Sequence, residues 1–339
     1  MTASSVDGEL LIEESPNLVH VSLNRPAALN ALSYPMITGL SGVLDGAAGR
    51  TILVSGMGGR AFCAGGDIKM QAMAIRSGDT TGARAYFRDE YALNAKIHAH
   101  QTPYVSFLNG ITMGGGYGVS GHGSHLIATP LTQFAMPEVG IGFFPDIGAV
   151  WKLARVPSEM GTYIAVTGAT VGPADMVHMG LAHGFMPVDR LDRLKDALKT
   201  GTPDEVLASF SEDAGTSALA QSEALIQKCF AGDSIESILD ALKGDGSDFA
   251  LATVRVIESR SPTSLKVALA HIRRARNESF SDVIARDLRL AMRFLDLPDF
   301  PEGVRAAVID EDRQPRWNPP SLAEVTAARV ALYLDSSGD

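Results

Sequence analysis

The sequence contains two glycine-rich turns, each following a short apolar run typical of a buried β-strand. T-I-L-V-S at 51–55 is followed by G-R-A-F-C-A-G-G-D-I-K-M at 59–70, and V-S-F-L at 105–108 by N-G-I-T-M-G-G-G-Y-G at 109–118. Because glycine has no β-carbon, such turns let the backbone approach another molecule closely. The first turn also leads into a helical pattern, whose N-terminal peptide N–H groups are free donors. We predict that two parallel strands each present one backbone N–H to the same oxygen.

Two carboxylates follow the second turn in apolar surroundings. Glu138 and Asp146 lie in A-M-P-E-V-G-I-G-F-F-P-D-I-G, residues 135–148. Carboxyl groups among Met, Val, Ile and Phe side chains pair with other groups, titrate abnormally or take part in chemistry. Backbone donors together with two sheltered acids predict a site that polarises a carbonyl group and moves a proton beside it. The alternative is that both acids are structural and accept hydrogen bonds from backbone N–H groups.

Short strands and helices alternate over residues 1–190, which predicts an α/β fold with mainly parallel pairing. A hairpin is indicated around Pro16 and Asn17, and a helix is expected to begin with Ser33 or Tyr34 as its N-cap. From about residue 190 the β-branched runs disappear, and apolar residues recur at helical spacing. We therefore predict a core at 1–190 that carries the site, and a helical region at 191–339.

Composition and charge argue against several classes of protein. Hydrophobic residues make up 45% and charged residues 20% of the chain, the usual balance of a soluble globular protein. The formal net charge of -10 lacks the basic footprint of nucleic-acid binding. No apolar run reaches the roughly 18 residues that span a membrane, and the N-terminus lacks the basic and apolar regions of a signal, so a cytoplasmic protein is predicted. No Cys/His spacing resembles a metal site, and no cofactor is predicted.

Three segments, in this order, resemble the crotonase (enoyl-CoA hydratase/isomerase) superfamily: G-R-A-F-C-A-G-G-D-I, N-G-I-T-M-G-G-G-Y-G-V-S and F-A-M-P-E-V-G-I-G-F-F-P-D-I-G. Three more, F-R-D-E-Y-A-L-N, S-R-S-P-T-S-L-K-V and D-F-P-E-G-V-R-A-A-V-I-D, are similar to motifs of its 3-hydroxyisobutyryl-CoA hydrolase branch. The resemblance implies a spiral of stacked β-β-α units with a helical C-terminal region. Most members assemble as trimers or dimers of trimers, whereas this branch is less uniform, so the resemblance leaves the oligomeric state open, with a homo-oligomer as one outcome.

The resemblance assigns roles to individual residues by position. It implies that the backbone N–H groups of Gly66 and Gly115 hold the thioester carbonyl oxygen. Glu138 would be the nucleophile or the general base, and Asp146 would orient water or substrate and manage the proton for the departing thiolate. Glu90 matches a glutamate that binds the 3-hydroxyl group of the substrate. By itself, Glu90 is equally well interpreted as a solvated helix charge or the partner of a nearby arginine.

One departure separates the activities that the resemblance allows. Hydratases activate water with two glutamates, and Gly118 occupies the position of the first in this chain. Hydratases also tend to carry glycine where this chain has Asp146. The resemblance therefore implies an acyl-CoA substrate and hydrolysis of 3-hydroxyisobutyryl-CoA, a step of valine breakdown. An enoyl-CoA hydratase/isomerase and a non-catalytic acyl-CoA-binding subunit are the alternatives.

Overall fold

The computed structural model describes residues 2–47, 49–78 and 80–335. Its strands are β1 (Thr2–Val6), β2 (Leu10–Glu14), β3 (Leu18–Leu23), β4 (Thr51–Gly56), β5 (Ala61–Cys63), β6 (Tyr104–Leu108), β7 (Ile111–Met113), β8 (His125–Ala128), β9 (Gln133–Ala135) and β10 (Gly184–Phe185). Its helices are α1 (Tyr34–Gly46), α2 (Ile68–Arg76), α3 (Thr80–Ala99), α4 (Gly115–Gly118), α5 (Ala149–Leu153), α6 (Met160–Thr167), α7 (Pro173–His178), α8 (Leu191–Leu198), α9 (Pro203–Phe210), α10 (Glu223–Cys229), α11 (Ile235–Asp245), α12 (Asp248–Glu258), α13 (Pro262–Ala275), α14 (Phe280–Phe294), α15 (Asp299–Val304) and α16 (Ala327–Asp335).

One compact unit comprises Met1–Asp67, Ala92–Phe134 and Val171–Ala220. Within the described residues it contains a seven-stranded sheet of order β1-β2-β3-β4-β6-β8-β10 and a small sheet of order β5-β7-β9. Strands β1, β2 and β3 pair antiparallel, whereas β3, β4, β6, β8 and β10 pair in parallel. The predicted mainly parallel pairing and the hairpin between β2 and β3 are confirmed. Ser33 is the N-cap of α1 and accepts a hydrogen bond from the Met36 N–H.

The central strands of this sheet are buried along their whole length because both faces are covered. All residues of β3, β4 and β6 are buried, which is the pattern of a parallel sheet enclosed between layers. Helices α8 and α9 cover part of one face. The buried cluster there consists of Leu18, Leu53, Val105, Phe107, Ile127, Met186, Leu194, Leu198, Val206 and Leu207. Burial of each such side chain stabilises the fold by roughly 1.5–3 kcal/mol, so the ends of β4 and β6 are rigidly held.

The second compact unit comprises Ile68–Tyr91, Ala135–Thr170 and Gln221–Asp339. Its described elements are helices and turns, and α14 illustrates why they form. Ser279 and Asp282 make a capping box at its start, and its buried residues, among them Val283, Asp287 and Leu290, recur at helical spacing. The helical character predicted for the C-terminal part is confirmed. The boundary at residue 190 stays a prediction.

Across the part of the chain that the structure describes, no helix combines the length and the apolar composition needed for a membrane span.

Candidate active site

The first unit brings the two glycine-rich turns together. Strands β5 and β7 are parallel neighbours, with Ala61 opposite Ile111, so the turns that leave them lie side by side. Gly65 has φ +116°, and a β-carbon added there would lie 3.4 Å from the Met113 carbonyl oxygen and 3.9 Å from the Gly115 nitrogen. The structure therefore places the turn that contains Gly66 against the turn that contains Gly115.

The last residue of the triple glycine sequence, Gly116, packs against Cys63 without space for a side chain. A β-carbon on Gly116 would lie 2.1 Å from the Cys63 carbonyl oxygen, well inside van der Waals contact. Gly115 is the first residue of α4, where peptide N–H groups point away from the helix. Within the described residues, neither the Gly66 N–H nor the Gly115 N–H donates a hydrogen bond to another protein group. Both N–H groups are thus available to a ligand.

An amide side chain ties the ends of the two strands that precede these turns. Asn109 Oδ1 accepts a hydrogen bond from the Gly56 N–H at 3.0 Å, and Asn109 Nδ2 donates to the Gly56 carbonyl oxygen at 2.7 Å. Gly56 ends β4, and Asn109 follows β6 directly. This two-way contact satisfies both backbone groups of Gly56 in a buried position, and it fixes where the chain enters each glycine-rich segment.

The second unit holds the three predicted acids. Glu90 lies on α3, Glu138 begins a 3-10 turn (Glu138–Ile141), and Asp146 precedes α5. Their exposed fractions are 2%, 6% and 5%, so all three side chains are buried. Tyr91 Oη donates a hydrogen bond to Asp146 Oδ2 at 2.5 Å. Among the described residues, Glu90 Oε1 and Glu138 Oε2 have no hydrogen-bond partner, which is uncommon for buried carboxyl oxygens.

Burial and mutual repulsion shift the titration of this group. Burial, followed by the charge of Asp146, raises the pKa of Glu90 and of Glu138 well above the usual range. Burial raises the pKa of Asp146 to about 7, although the hydrogen bond from Tyr91 opposes the shift by stabilising the ionised form. Burial thus favours the protonated form of all three acids, whereas the hydrogen bond from Tyr91 favours the ionised form of Asp146.

Aromatic side chains supply the apolar environment. Phe143 and Phe144, between Glu138 and Asp146 in the chain, stack with ring centroids 4.7 Å apart. Phe87, one helical turn before Tyr91, stacks on Phe143 at 5.4 Å. The three acids are themselves buried, so their charged carboxylates are poorly solvated. The interpretation of Glu90 as a solvated surface charge is wrong, because its side chain is buried.

Two contributors to the site, Tyr91 and Asn109, were not singled out by the sequence analysis. Tyr91 is adjacent to Glu90 in the F-R-D-E-Y-A-L-N motif, and Asn109 begins the second glycine-rich segment. No periodicity links Tyr91 to Asp146, which lies 55 positions away. Only the path of the chain determines that the hydroxyl meets this carboxylate.

Known proteins resemble this chain over almost its whole length. The family model described as enoyl-CoA hydratase/isomerase matches residues 18–334. The mitochondrial 3-hydroxyisobutyryl-CoA hydrolase of Rattus norvegicus is 36% identical, over 100% of this chain and 91% of its own. A probable 3-hydroxyisobutyryl-CoA hydrolase of Arabidopsis thaliana is 37% identical, over 96% and 91% of the two chains.

Two solved structures share the fold closely. A carnitinyl-CoA dehydratase from Mycobacterium thermoresistibile has a TM-score of 0.92 and 36% identity over 97% of this chain and 96% of its own. An enoyl-CoA hydratase from Rhodobacter sphaeroides has a TM-score of 0.90 and 33% identity over 96% and 97%. The predicted fold class, a crotonase-like α/β structure with C-terminal helices, is confirmed.

The predicted cytoplasmic location is wrong, because similar hydrolases from rat, zebrafish, mouse and human are named as mitochondrial proteins. That prediction relied on the composition of the first residues. A targeting signal is an address recognised by a receptor, and it leaves no mark on the core or on the site.

The buried acids, the paired glycine turns and these similarities over the full length agree with one another. The chain belongs to the enoyl-CoA hydratase/isomerase family.

Proposed function

We propose that this chain hydrolyses the thioester of 3-hydroxyisobutyryl-CoA to give 3-hydroxyisobutyrate and CoA. Relatives named for this activity match the chain over nearly their whole length, in animals and in a plant, and at this level the predicted activity is confirmed. The observation that carries the proposal is the buried set of Glu138, Asp146 and Glu90 without an acid at Gly118. The acyl-CoA is the substrate, so no separate cofactor is required.

Gly66 and Gly115 have the role of binding the thioester carbonyl oxygen. Their N–H groups are available, and the turns that carry them are held by glycine packing and by Asn109. Donors fixed in this way stabilise the negative charge that develops on the oxygen during attack. The loss of one such donor lowers the rate on the order of 10²–10³-fold.

Glu138 acts as nucleophile or as general base in its ionised form, whereas its raised pKa means that it holds a proton in the resting site. Asp146, which Tyr91 helps to ionise, is the acceptor for that proton. Transfer from Glu138 to Asp146 leaves Glu138 charged for attack on the thioester or on water. Asp146 then gives the proton to the departing thiolate. The consumed water molecule, which attacks the thioester directly or hydrolyses the anhydride, returns one proton to the pair, so the number of protons balances. Two acids with different surroundings commonly divide acid and base roles in this way.

Glu90 binds the 3-hydroxyl group of the acyl chain. Its buried Oε1 has no protein partner among the described residues, so a substrate hydroxyl would satisfy a group that is otherwise left unpaired. A site built to hydrogen-bond a hydroxyl discriminates strongly against analogues that lack it. This gives the enzyme selectivity for 3-hydroxyacyl thioesters.

The principal test compares two substrates. The protein is mixed with 3-hydroxyisobutyryl-CoA and with crotonyl-CoA, while free thiol and enoyl absorbance are followed. Thiol release from the first alone is expected. Loss of enoyl absorbance without thiol release would instead support a hydratase, the activity in the name of the solved structure from Rhodobacter sphaeroides. Binding of both compounds without turnover would indicate an acyl-CoA-binding subunit.

A second experiment distinguishes the two roles of Glu138. Turnover in ¹⁸O-labelled water, followed by mass spectrometry of the peptide that contains Glu138, detects an acyl anhydride if the label enters the carboxyl group. Label confined to the product acid would favour general-base catalysis. The oligomeric state, which the resemblance leaves open, is tested separately by light scattering of the purified protein, with a homo-oligomer as one outcome.

A further inference from the structure

The segment that carries Asp146 has a backbone conformation that needs external support. Ile147 has φ 54° and Gly148 has φ 72°, so two left-handed residues directly follow the carboxylate. This conformation is unfavourable for a β-branched residue such as isoleucine, at about 1–3 kcal/mol. Among the hydrogen bonds of this turn, the Ala149 N–H donates to the Asp146 carbonyl oxygen at 2.9 Å, and the Gly148 N–H donates to Asp287 Oδ2 at 2.7 Å.

Asp287 is itself the end of a buried chain of contacts. Its other oxygen, Oδ1, lies 2.5 Å from His271 Nε2, and both side chains have no solvent exposure. Arg286 Nε donates to His271 Nδ1 at 2.9 Å, and Arg286 Nη1 donates to Glu278 at 2.7 Å. These contacts thus connect Glu278, near the surface, through Arg286 and His271 to Asp287 and the turn after Asp146.

The arginine determines which nitrogen of His271 carries the proton. A guanidinium group has donors and no acceptor, so His271 Nδ1 must accept and therefore has no hydrogen. The imidazole is consequently neutral, with its hydrogen on Nε2 directed at Asp287. Both oxygens of Asp287 then accept hydrogen bonds, which satisfies a carboxylate that would otherwise be buried without partners.

We propose that Asp287 and His271 are positioning residues that hold Asp146 in its reactive orientation through the Gly148 N–H. This proposal rests on the function assigned to Asp146 above. The turn is unfavourable by itself, and the Asp287 carboxylate anchors it. The orientation of that carboxylate is fixed because His271 is present as a single tautomer. If the orientation of the Asp287 carboxylate is lost, Asp146 can move away from Tyr91 although the Asp146 side chain itself is unchanged.

Asp287 also acts on Asp146 through its charge. The ionisable groups that interact electrostatically with Asp146 come from three elements: Tyr91 and Glu90 from α3, Glu138 from its turn, and Asp287 from α14. The charge of Asp287 raises the pKa of both Asp146 and Tyr91. A perturbed Asp287 should therefore change the pH dependence of turnover as well as its rate.

The test compares His271→Leu with His271→Gln in the full-length protein. Leucine removes the donor to Asp287, and we expect kcat to fall on the order of 10–10²-fold with little change in KM. Glutamine carries both a donor group and an acceptor group, as the neutral imidazole does, and should keep kcat within about threefold of the original protein. Equal kcat and equal pH profiles for the leucine variant and the original protein would overturn the proposal.

A second variant covers the case in which His271→Leu does not fold. Asp287→Asn removes the charge beside Asp146, and the pH limb assigned to Asp146 should move to lower pH by roughly half a unit or more. An unchanged limb would also overturn the proposal. Hydrogen exchange of the Gly148 N–H, measured by mass spectrometry on peptides that span this turn, should be faster in both variants. This last measurement does not need turnover, so it distinguishes failure of the anchor from failure of the proposed function.

Discussion

The two regions of this molecule that are proposed to carry the chemistry are built in different ways. The first unit provides backbone N–H groups from glycine-rich turns, fixed by parallel strands and by Asn109. The second provides carboxyl side chains of Glu138 and Asp146, fixed by helices and aromatic packing. A peptide N–H group belongs to the backbone and is not removed by a side-chain substitution, so in the first region activity should depend on whether an added side chain displaces the backbone. In the second region activity should depend on the loss of one carboxyl group. Substitutions can therefore test the two regions separately.

The largest effect is expected for Glu138→Gln. The amide has the same shape but can neither attack nor accept a proton, so thiol release should fall on the order of 10³-fold. Because Glu138 is buried with a raised pKa, the neutral replacement should leave the folded state intact in a thermal melt. Glu258→Gln, on α12 of the same unit, removes only an exposed ion pair with Lys243 and is the matched control. Normal turnover by the Glu138 variant would exclude the proposed mechanism.

Gly116→Ala tests the backbone region. The new β-carbon would overlap the Cys63 carbonyl oxygen, so the turn must shift and the Gly115 N–H must move with it. Thiol release should decrease on the order of 10²-fold. Gly42→Ala on α1 places a β-carbon in open space and should leave turnover unchanged. If both alanine variants have the same activity, the triple glycine sequence does not position a donor.

Glu90→Gln should change selectivity more than rate. The ratio of kcat/KM for 3-hydroxyisobutyryl-CoA to that for isobutyryl-CoA should fall on the order of tenfold, because the hydrogen bond to the hydroxyl is altered. Measurement of both thioesters under identical conditions gives this ratio directly. An equal loss for both substrates would assign Glu90 to the electrostatics of the cluster instead.

Tyr91→Phe removes a donor that stabilises ionised Asp146. The pKa of Asp146 should therefore rise further above about 7, and the corresponding limb of the pH–rate profile should move to higher pH. We expect kcat at neutral pH to decrease by about tenfold, since a hydrogen bond to a charged group contributes roughly 1.5–3 kcal/mol. Tyr34→Phe, at an exposed position, is the control. A profile that does not move would show that the Tyr91 contact is structural only.

The smallest effect concerns stability. The pKa of Asp146 is raised in the folded state from 3.8 to about 7, so the folded chain binds more protons than the unfolded chain between those values. The contribution to stability is therefore present below about pH 4 and is lost as the pH rises through 7. The Asp146→Asn variant has no carboxyl group to ionise, so it should not lose stability in this way. At pH 8 its free energy of unfolding should exceed that of the original protein by about 1–2 kcal/mol. Denaturant unfolding at pH 5 and pH 8 measures the difference, and an equal pH dependence in both proteins would contradict it.

Some features were determined by the sequence alone. The alternation of short apolar strands and helices predicted the mainly parallel sheet. Its central strands are buried on both faces, as such a sheet requires. The glycines at 65, 66 and 114–116 predicted two turns close to another group, because only a missing β-carbon permits such an approach. Glu138 and Asp146 were recognised by their apolar neighbours, which are local in the chain.

Tertiary structure decided which distant groups meet. Asp146 is contacted by Tyr91 from 55 positions before it, and the Gly148 N–H by Asp287 from 139 positions after it. No local pattern encodes such pairs, because each follows from the packing of whole helices against one another. Burial of Glu90 was likewise decided by the packing of the whole structure, so its interpretation changed from a solvated charge to a sheltered acid. The sequence determined which chemical groups were available, and the packed structure determined their partners and their pKa values, because solvation and contact depend on all neighbours in space.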